Sequence, residues 1–454
     1  MKAGPTTQLS TEAFMTVRIS PEEFACRRQA LMARVGRDAA VIIPAAVHHR
    51  RNRDTEYRYR QDSDFYYLTG FAEPEALLVL LPGRAEGEFV LFCRDRDRAM
   101  EIWNGYRAGP EGAVSDFGAS QAFVIADVAT KLPELLAGRK QVYAPMATET
   151  AFDADLAGWI NAVRSQARAG VEAPQSLHAI DQALHPLRLI KSAAEIAIMQ
   201  AAADLSAEGH RRAMAVAKAG RYEYELEAEL LHSFTRHGCI APAYGSIVGG
   251  GANACILHYT ENNAELRDGD LVLIDAGGEL AYYAADITRT FPVNGRFSAE
   301  QKALYEVVLA AQLAAIDVVQ VGNSWQLPHE TAVRVLCEGL LELGLLKGEL
   351  SAVIEAGDYR RFYMHRTGHW LGMDVHDVGD YRIDGEWRAF APGMVLTVEP
   401  GLYIAPDDDT VEARWRGIGI RIEDDVVVTE SGPHVLTAKA PKTIAEIEAL
   451  VGSA

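Results

Sequence analysis

The sequence predicts an α+β chain of two domains, and three observations carry that expectation. At 454 residues the chain is too long for one ordinary core. In its second half the helical and strand patterns cluster instead of alternating strictly. Several apolar runs of strand length end in a carboxylate, which a protein interior accepts only when the charge is paired or bound.

The elements follow in chain order. Residues 1–18 read as a loose tail. They lack the basic start and apolar core of a secretion signal, and the organised pattern begins just after Met15, the expected natural start. Residues 19–185 read as a smaller α/β domain. Within it, Ala76 to Leu81 and Phe89 to Cys93 are strand-length apolar runs separated by the turn signal Pro82–Gly83. Arg50 to Gly70, rich in charge and aromatics, reads as a solvated loop with aromatic anchors. A boundary falls near His185 to Lys191, where Pro186 breaks the pattern, and residues 186–454 form the second domain. Ser192 and Glu195 have the spacing of a capping box, opening a helix to about Ala217. Glu223 to Arg236 reads as a second helix, stopped by Gly238. Strands follow, then a helical region from Ala299 to about Leu345, then strands from Met394 to Val428.

Composition narrows the function. Apolar residues make up 49% and charged residues 24%, the balance of a soluble globular protein. A net charge of −19 argues against nucleic acid as a partner. No apolar run approaches the ~20 residues that span a bilayer. The five cysteines are scattered and form no CxxC pair, so a disulfide framework is not expected and a cytoplasmic setting is.

The chemistry sits on four carboxylates and a histidine cluster. Leu271–Ile274 runs straight into Asp275, and the chain returns through Tyr282 and Tyr283 to Asp286. A hairpin centred between Leu280 and Ala281 would set the two acids opposite each other, where like charges repel unless a cation lies between them. Val395–Val398 runs into Glu399, after which Pro400 ends regular pairing. In Gly417–Glu423 the isoleucines 418, 420 and 422 share one face, and Gly419, Arg421 and Glu423 the other. Arg421 is placed to orient a carboxylate. His365, His369 and His376 fall within twelve residues, among Gly368 and Gly372, which argue against a regular helix. His258 stands apart. Four carboxylates and one neutral imidazole balance two divalent cations. That donor set suits Mn²⁺, with Co²⁺, Fe²⁺ or Zn²⁺ as alternatives. Two such ions ~3.5–4 Å apart share a water and lower its pKa from ~15.7 toward ~7, which is hydrolytic chemistry.

These motifs resemble the pita-bread metallopeptidases, and among them the bacterial aminopeptidase P family. The resemblance runs from about Ile19 onward. It rests on Asp275-Ala-Gly-Gly, Asp286-Ile-Thr-Arg-Thr-Phe-Pro, the run from His369 to Gly379, Thr397-Val-Glu-Pro-Gly-Leu-Tyr, Gly419-Ile-Arg-Ile-Glu-Asp-Asp, and Asp62-Ser-Asp-Phe-Tyr-Tyr-Leu-Thr-Gly-Phe. It implies a smaller amino-terminal domain before a pita-bread catalytic domain. It implies metal ligation by Asp275, Asp286, His369, Glu399 and Glu423, with Asp286 and Glu423 bridging. His258, His365 and His376 then lie near the scissile peptide, Glu399 handles the proton of the bridging water, and Arg421 and Tyr403 stand behind the ligands. It further implies cleavage of an N-terminal residue that precedes proline, and a homo-oligomer, dimer or tetramer, in which Trp103 reaches a neighbour's site. Arg366, where a glycine is expected, and the altered segment 380–390 are departures on the substrate side. A prolidase restricted to Xaa-Pro dipeptides and a non-catalytic pita-bread binding protein are the competing readings.

Overall fold

The computed structural model describes residues 18–454. The expected tail and the start at Met15 lie outside them, save Arg18. The chain divides into two compact units, residues 19–188 and residues 189–454. Among the described residues no helix is long and apolar enough to cross a membrane.

The first unit is built on a six-stranded mixed sheet. Its strands are β1 (Ala39–Pro44), β2 (Leu77–Leu80), β3 (Phe89–Cys93), β4 (Gln121–Val124), β5 (Gln141–Ala144) and β6 (Ser176–Ala179), in the order β4-β3-β2-β1-β5-β6. The pairs β1–β2 and β2–β3 are antiparallel and the outer pairs parallel. One face packs on the helices Val128–Leu136 and Thr150–Arg164 through Leu132, Leu136, Leu156 and Ile160. Each such fully buried side chain contributes about 1.5–3 kcal/mol. The segment 50–70 is not loop throughout. Asp62 caps a helix, Ser63–Thr69, that ends on Gly70 in the left-handed conformation. Pro186 does not break the chain either; it lies within the helix Asp181–Leu189.

The second unit carries the longer helices. Ser192 and Glu195 make the expected reciprocal capping box on the helix Ala193–Val216, and the next helix is Glu223–Arg236. The helical region beyond Ala299 is two helices, Ala299–Asp317 and Leu327–Glu342. They pack around short antiparallel sheets. One has the order Thr288–Pro292, Leu271–Asp275, Ile247–Gly250; another is Val395–Val398, Asp424–Thr429, Gly432–Val435; and Gly401–Tyr403 pairs with Gly419–Arg421.

A buried ion pair joins two of these sheets. The guanidinium of Arg289, fully buried, donates to Asp424 at 2.7 Å and to the carbonyls of Glu423 and Pro441 at 2.6 and 3.0 Å. Asp424 also accepts from Gln312, Thr437 and Lys442. Burial opposes its charge, but Arg289 and Lys442 outweigh that and hold the carboxyl at about 2. We expect Asp424→Asn to lose about 3–5 kcal/mol at neutral pH in urea denaturation, because Arg289 loses its counter-ion. The folded-state pKa lies below the unfolded ~3.9, so the pair's contribution is present above pH ~4 and is lost as pH falls toward 2. The gap between wild type and variant should therefore narrow over that range; a gap independent of pH would refute this role.

Candidate metal centre

Asp275 ends a fully buried strand, Leu271–Asp275, so its carboxylate is carried into the interior by Val272 and Ile274. Its partner across the strand pair is Thr288, not Asp286. The hairpin turns at Ala281 and Tyr282, both with positive φ (47° and 73°), one residue beyond the expected centre. Asn or Gly would have marked such a turn in the sequence, and neither is there. Asp286 is therefore a diagonal neighbour of Asp275 on the same face. Gly277 permits the close approach, since a Cβ there would lie 1.7 Å from the carbonyl oxygen of Ala285.

The remaining donors come from the opposite sheet. The segment 367–370 runs beside Val395–Val398, with Glu399 N donating to Thr367 O and Thr397 N to His369 O. A Cβ at Gly368 would meet Thr397 O at 2.0 Å, so this seam requires glycine. His369 Nδ1 bonds the carbonyl of Trp370 at 2.9 Å, which leaves Nε2 facing Asp286 at 3.4 Å and Glu399 at 3.7 Å. Glu423 follows the strand Gly419–Arg421 and accepts from Thr288 Oγ1 at 2.6 Å. Ligand atoms of Asp286, His369 and Glu423 lie within 4.8 Å of one another. Asp275 and Asp286 share the hydroxyl of Tyr244, each at 2.5 Å.

Arg421 organises the back of the site. Nη2 donates to Asp275 at 2.7 Å, Nη1 to Tyr403 Oη at 3.0 Å, and Nε to Thr288 Oγ1 at 3.1 Å. Of the carboxylates it was placed to orient, it takes Asp275. Tyr403 in turn donates to His365 Nε2 at 2.8 Å, while His365 Nδ1 donates to the Arg366 carbonyl at 2.8 Å. Both ring nitrogens of His365 are thus engaged within the protein. Burial, then Arg421, push its pKa down to about 4.

The electrostatics test whether the set suits metal. Burial raises Glu423 well above the usual carboxylate range, and Asp286, Glu399 and Asp275 raise it further. Burial lifts Glu399 to about 7, against the pull of His369 and Arg421. Asp275 is also raised, chiefly by burial. Burial opposes the charge on His369, but its bond to Asp286 and the nearby Glu399 carry it to about 9. Burial opposes the charge on Asp286 as well, but its bond to His369 holds that carboxyl low. Three buried carboxylates and the half-buried Glu399 face only Arg421 and His369, which leaves excess negative charge for a cation to balance. Oxygen donors with one imidazole are the chemistry of divalent cations, so the residues present fit metal.

These side chains form the floor of a cavity of about 1080 Å³. His258, His365 and His376 line it, and the His376 ring lies 4.3 Å from that of His369. Lys191, buried and 2.8 Å from Asp377, anchors the loop bearing His376. Every lining residue belongs to the second unit. Trp103 lies in the first, on the short helix Arg98–Asn104, and is 83% exposed where a core position is usual for tryptophan. Sequence reasoning missed Tyr244, which precedes Gly245 in an apolar run, and Thr288, which reaches both Arg421 and Glu423. Neither carries a charge; Thr288 lies within the run Asp286-Ile-Thr-Arg-Thr-Phe-Pro, but nothing in that run distinguishes it from Thr290, and Tyr244 lies in no motif.

Comparison with known proteins places this geometry. Residues 197–430 match the model for metallopeptidase family M24, and residues 24–143 match the aminopeptidase P N-terminal domain. The Xaa-Pro aminopeptidase of Escherichia coli strain K12 is 46% identical over 437 residues, 96% of this chain and 99% of that one. The solved structure of Pseudomonas aeruginosa aminopeptidase PepP is 57% identical, with a TM-score of 0.95 over 96% of this chain and 98% of that one. A zinc-substituted Escherichia coli aminopeptidase P in complex with product is 46% identical, with a TM-score of 0.93 over 95% and 98%.

Binding a divalent cation here should stabilise the second unit. At a hundredfold excess over Kd the gain is about 2.7 kcal/mol, or a rise of ~5–10 °C in Tm for a unit of this size. Thermal scans with Mn²⁺ against chelator measure it. Asp286→Ala should abolish the shift while leaving the metal-free melt near that of wild type.

Proposed function

The chain belongs to metallopeptidase family M24 and carries an aminopeptidase P amino-terminal domain, and from that premise we propose that it is a metal-dependent Xaa-Pro aminopeptidase. It hydrolyses the bond between a peptide's N-terminal residue and a proline in second position. The observation that carries this reading is the convergence of three buried carboxylates, the half-buried Glu399 and His369 on one cavity. Relatives of that activity, matched over nearly their whole length, support it.

In this reading Asp275, Asp286, His369, Glu399 and Glu423 would hold two divalent ions. Bound there, the ions would supply a Lewis acid for the carbonyl and acidify the attacking water. The remaining steps belong to the protein. Glu399 accepts the proton that water loses and returns it to the departing proline nitrogen. His376, on the cavity wall, donates a hydrogen bond to the oxygen that becomes negative. His258 faces the same space and binds the peptide. Tyr403 links His365, on the substrate side, to Arg421, which fixes Asp275. The native metal is Mn²⁺ in this reading, with Co²⁺, Fe²⁺ and Zn²⁺ as alternatives.

The enzyme acts in the cytoplasm as a homo-oligomer, a dimer or tetramer. Ile102, Trp103 and Tyr106, exposed at 80, 83 and 91%, supply an apolar surface for a neighbouring copy. The prolidase reading shares the same floor and differs in the length of peptide accepted. A non-catalytic binding role has no use for a full donor set, and nothing in the cavity favours it.

Mn²⁺-loaded protein should release arginine from Arg-Pro-Pro. Cleavage of Xaa-Pro dipeptides with no action on that tripeptide would favour the prolidase. Asp286→Ala should lower kcat at least a thousandfold; substantial turnover in that variant would remove Asp286 from the proposed metal set.

A further inference from the structure

The cavity has a direction. Its floor holds Asp275, Asp286 and Glu423, at 9, 5 and 2% exposure. Its mouth holds Arg366 and Arg382, both exposed, around a half-buried Trp387. Arg382 and Trp387 face each other across a small hairpin closed by Asp384 and Gly385, both with positive φ. The Arg382 guanidinium lies 4.0 Å from the Trp387 ring centroid, and Arg366 reaches the same ring, at 5.2 Å, from another loop. Among the described residues neither guanidinium has a carboxylate at ion-pair distance, although Asp380 also lines the cavity.

Arg366 is the more firmly held of the two. Nη2 donates to Gln326 Oε1, the side chain rests on Trp387, and its carbonyl accepts from His365. Two cations sharing one indole, without a counter-ion, favour an anion between or beside them. An exopeptidase of the kind proposed above takes the free amine at the closed end, so the rest of the peptide leaves through the mouth.

We propose that Arg366 is a specificity-determining residue that selects peptides carrying a carboxylate downstream of the scissile bond. This rests on the aminopeptidase reading. The carboxylate is either an acidic side chain or the C-terminus of a short peptide. The chain's net charge of −19 and its acidic floor disfavour an acidic peptide elsewhere. A preference for one would therefore report the local guanidinium.

Two pairs of peptides distinguish the sources, assayed on the metal-loaded full chain. Amidated Ala-Pro-Glu-Ala against amidated Ala-Pro-Gln-Ala tests the side chain. Ala-Pro-Ala as free acid against amide tests the terminus. At low salt the anionic member of at least one pair should be favoured about three- to fivefold, through KM with kcat unchanged. Added salt should weaken the preference. In Arg366→Gln the two members should converge, in Arg366→Lys part of the preference should remain, and Arg366→Glu should invert it in favour of a lysine peptide. A thermal melt confirms that each variant is folded. Turnover of neutral amides with no preference in either pair, or a preference that survives in Arg366→Gln, overturns this proposal alone. No turnover of any of the peptides overturns the aminopeptidase reading with it.

Discussion

The second unit is shaped by one constraint: four carboxylates share a single buried floor. Like charges at such separations repel strongly in a low-dielectric interior. The surroundings answer with few positive groups. Arg421 spends its three nitrogens on Asp275, Tyr403 and Thr288. His369 turns Nε2 toward Asp286 and Glu399. Arg289, also buried, is committed to Asp424 and to main-chain carbonyls, and Lys191 to Asp377. The excess negative charge is left facing the cavity, where a divalent cation would meet it.

Holding such a set in place requires stiff supports. Asp275 and Glu399 follow fully buried strands, while Glu423 sits between the strands Gly419–Arg421 and Asp424–Thr429. The strands are brought together at seams where a side chain would not fit. Gly277 against Ala285, Gly368 against Thr397 and Gly419 against Ala254 each leave room only for hydrogen at Cα. The Arg289–Asp424 pair then joins the sheet bearing Asp275 to the one following Glu423. A misfit of an ångström at the floor would upset ligand distances, so the chain concentrates its rigidity behind them.

Much of this was legible before the structure. The capping box at Ser192 and the apolar runs ending in Asp275 and Glu399 are local signals, and each element formed where they stood. What the sequence hid was set by tertiary context. The turn at Ala281 and Tyr282 uses residues with no preference for positive φ, so the register of the hairpin could not be read, and with it the diagonal placing of the two aspartates. Pro186 suggested an interruption, yet it is accommodated in the helix Asp181–Leu189, because local propensity is a weak prior against packing. Tyr244 was invisible for a different reason. An uncharged residue acquires its meaning only when two distant acids arrive beside it.

The floor and the mouth of the cavity are parts of one bonded path. Asp275 is held by Arg421, Arg421 by Tyr403, Tyr403 by His365, and His365 by the carbonyl of Arg366. His365 can sit in this path only as a neutral ring, because Nε2 accepts while Nδ1 donates, and burial and Arg421 depress its pKa accordingly. The loop that presents Arg366 to a departing peptide is therefore positioned by the same hydrogen bonds that orient a carboxylate on the floor. A substitution at Tyr403 would disturb both ends at once. One at the Arg366 side chain leaves the path intact, because only its backbone belongs to it.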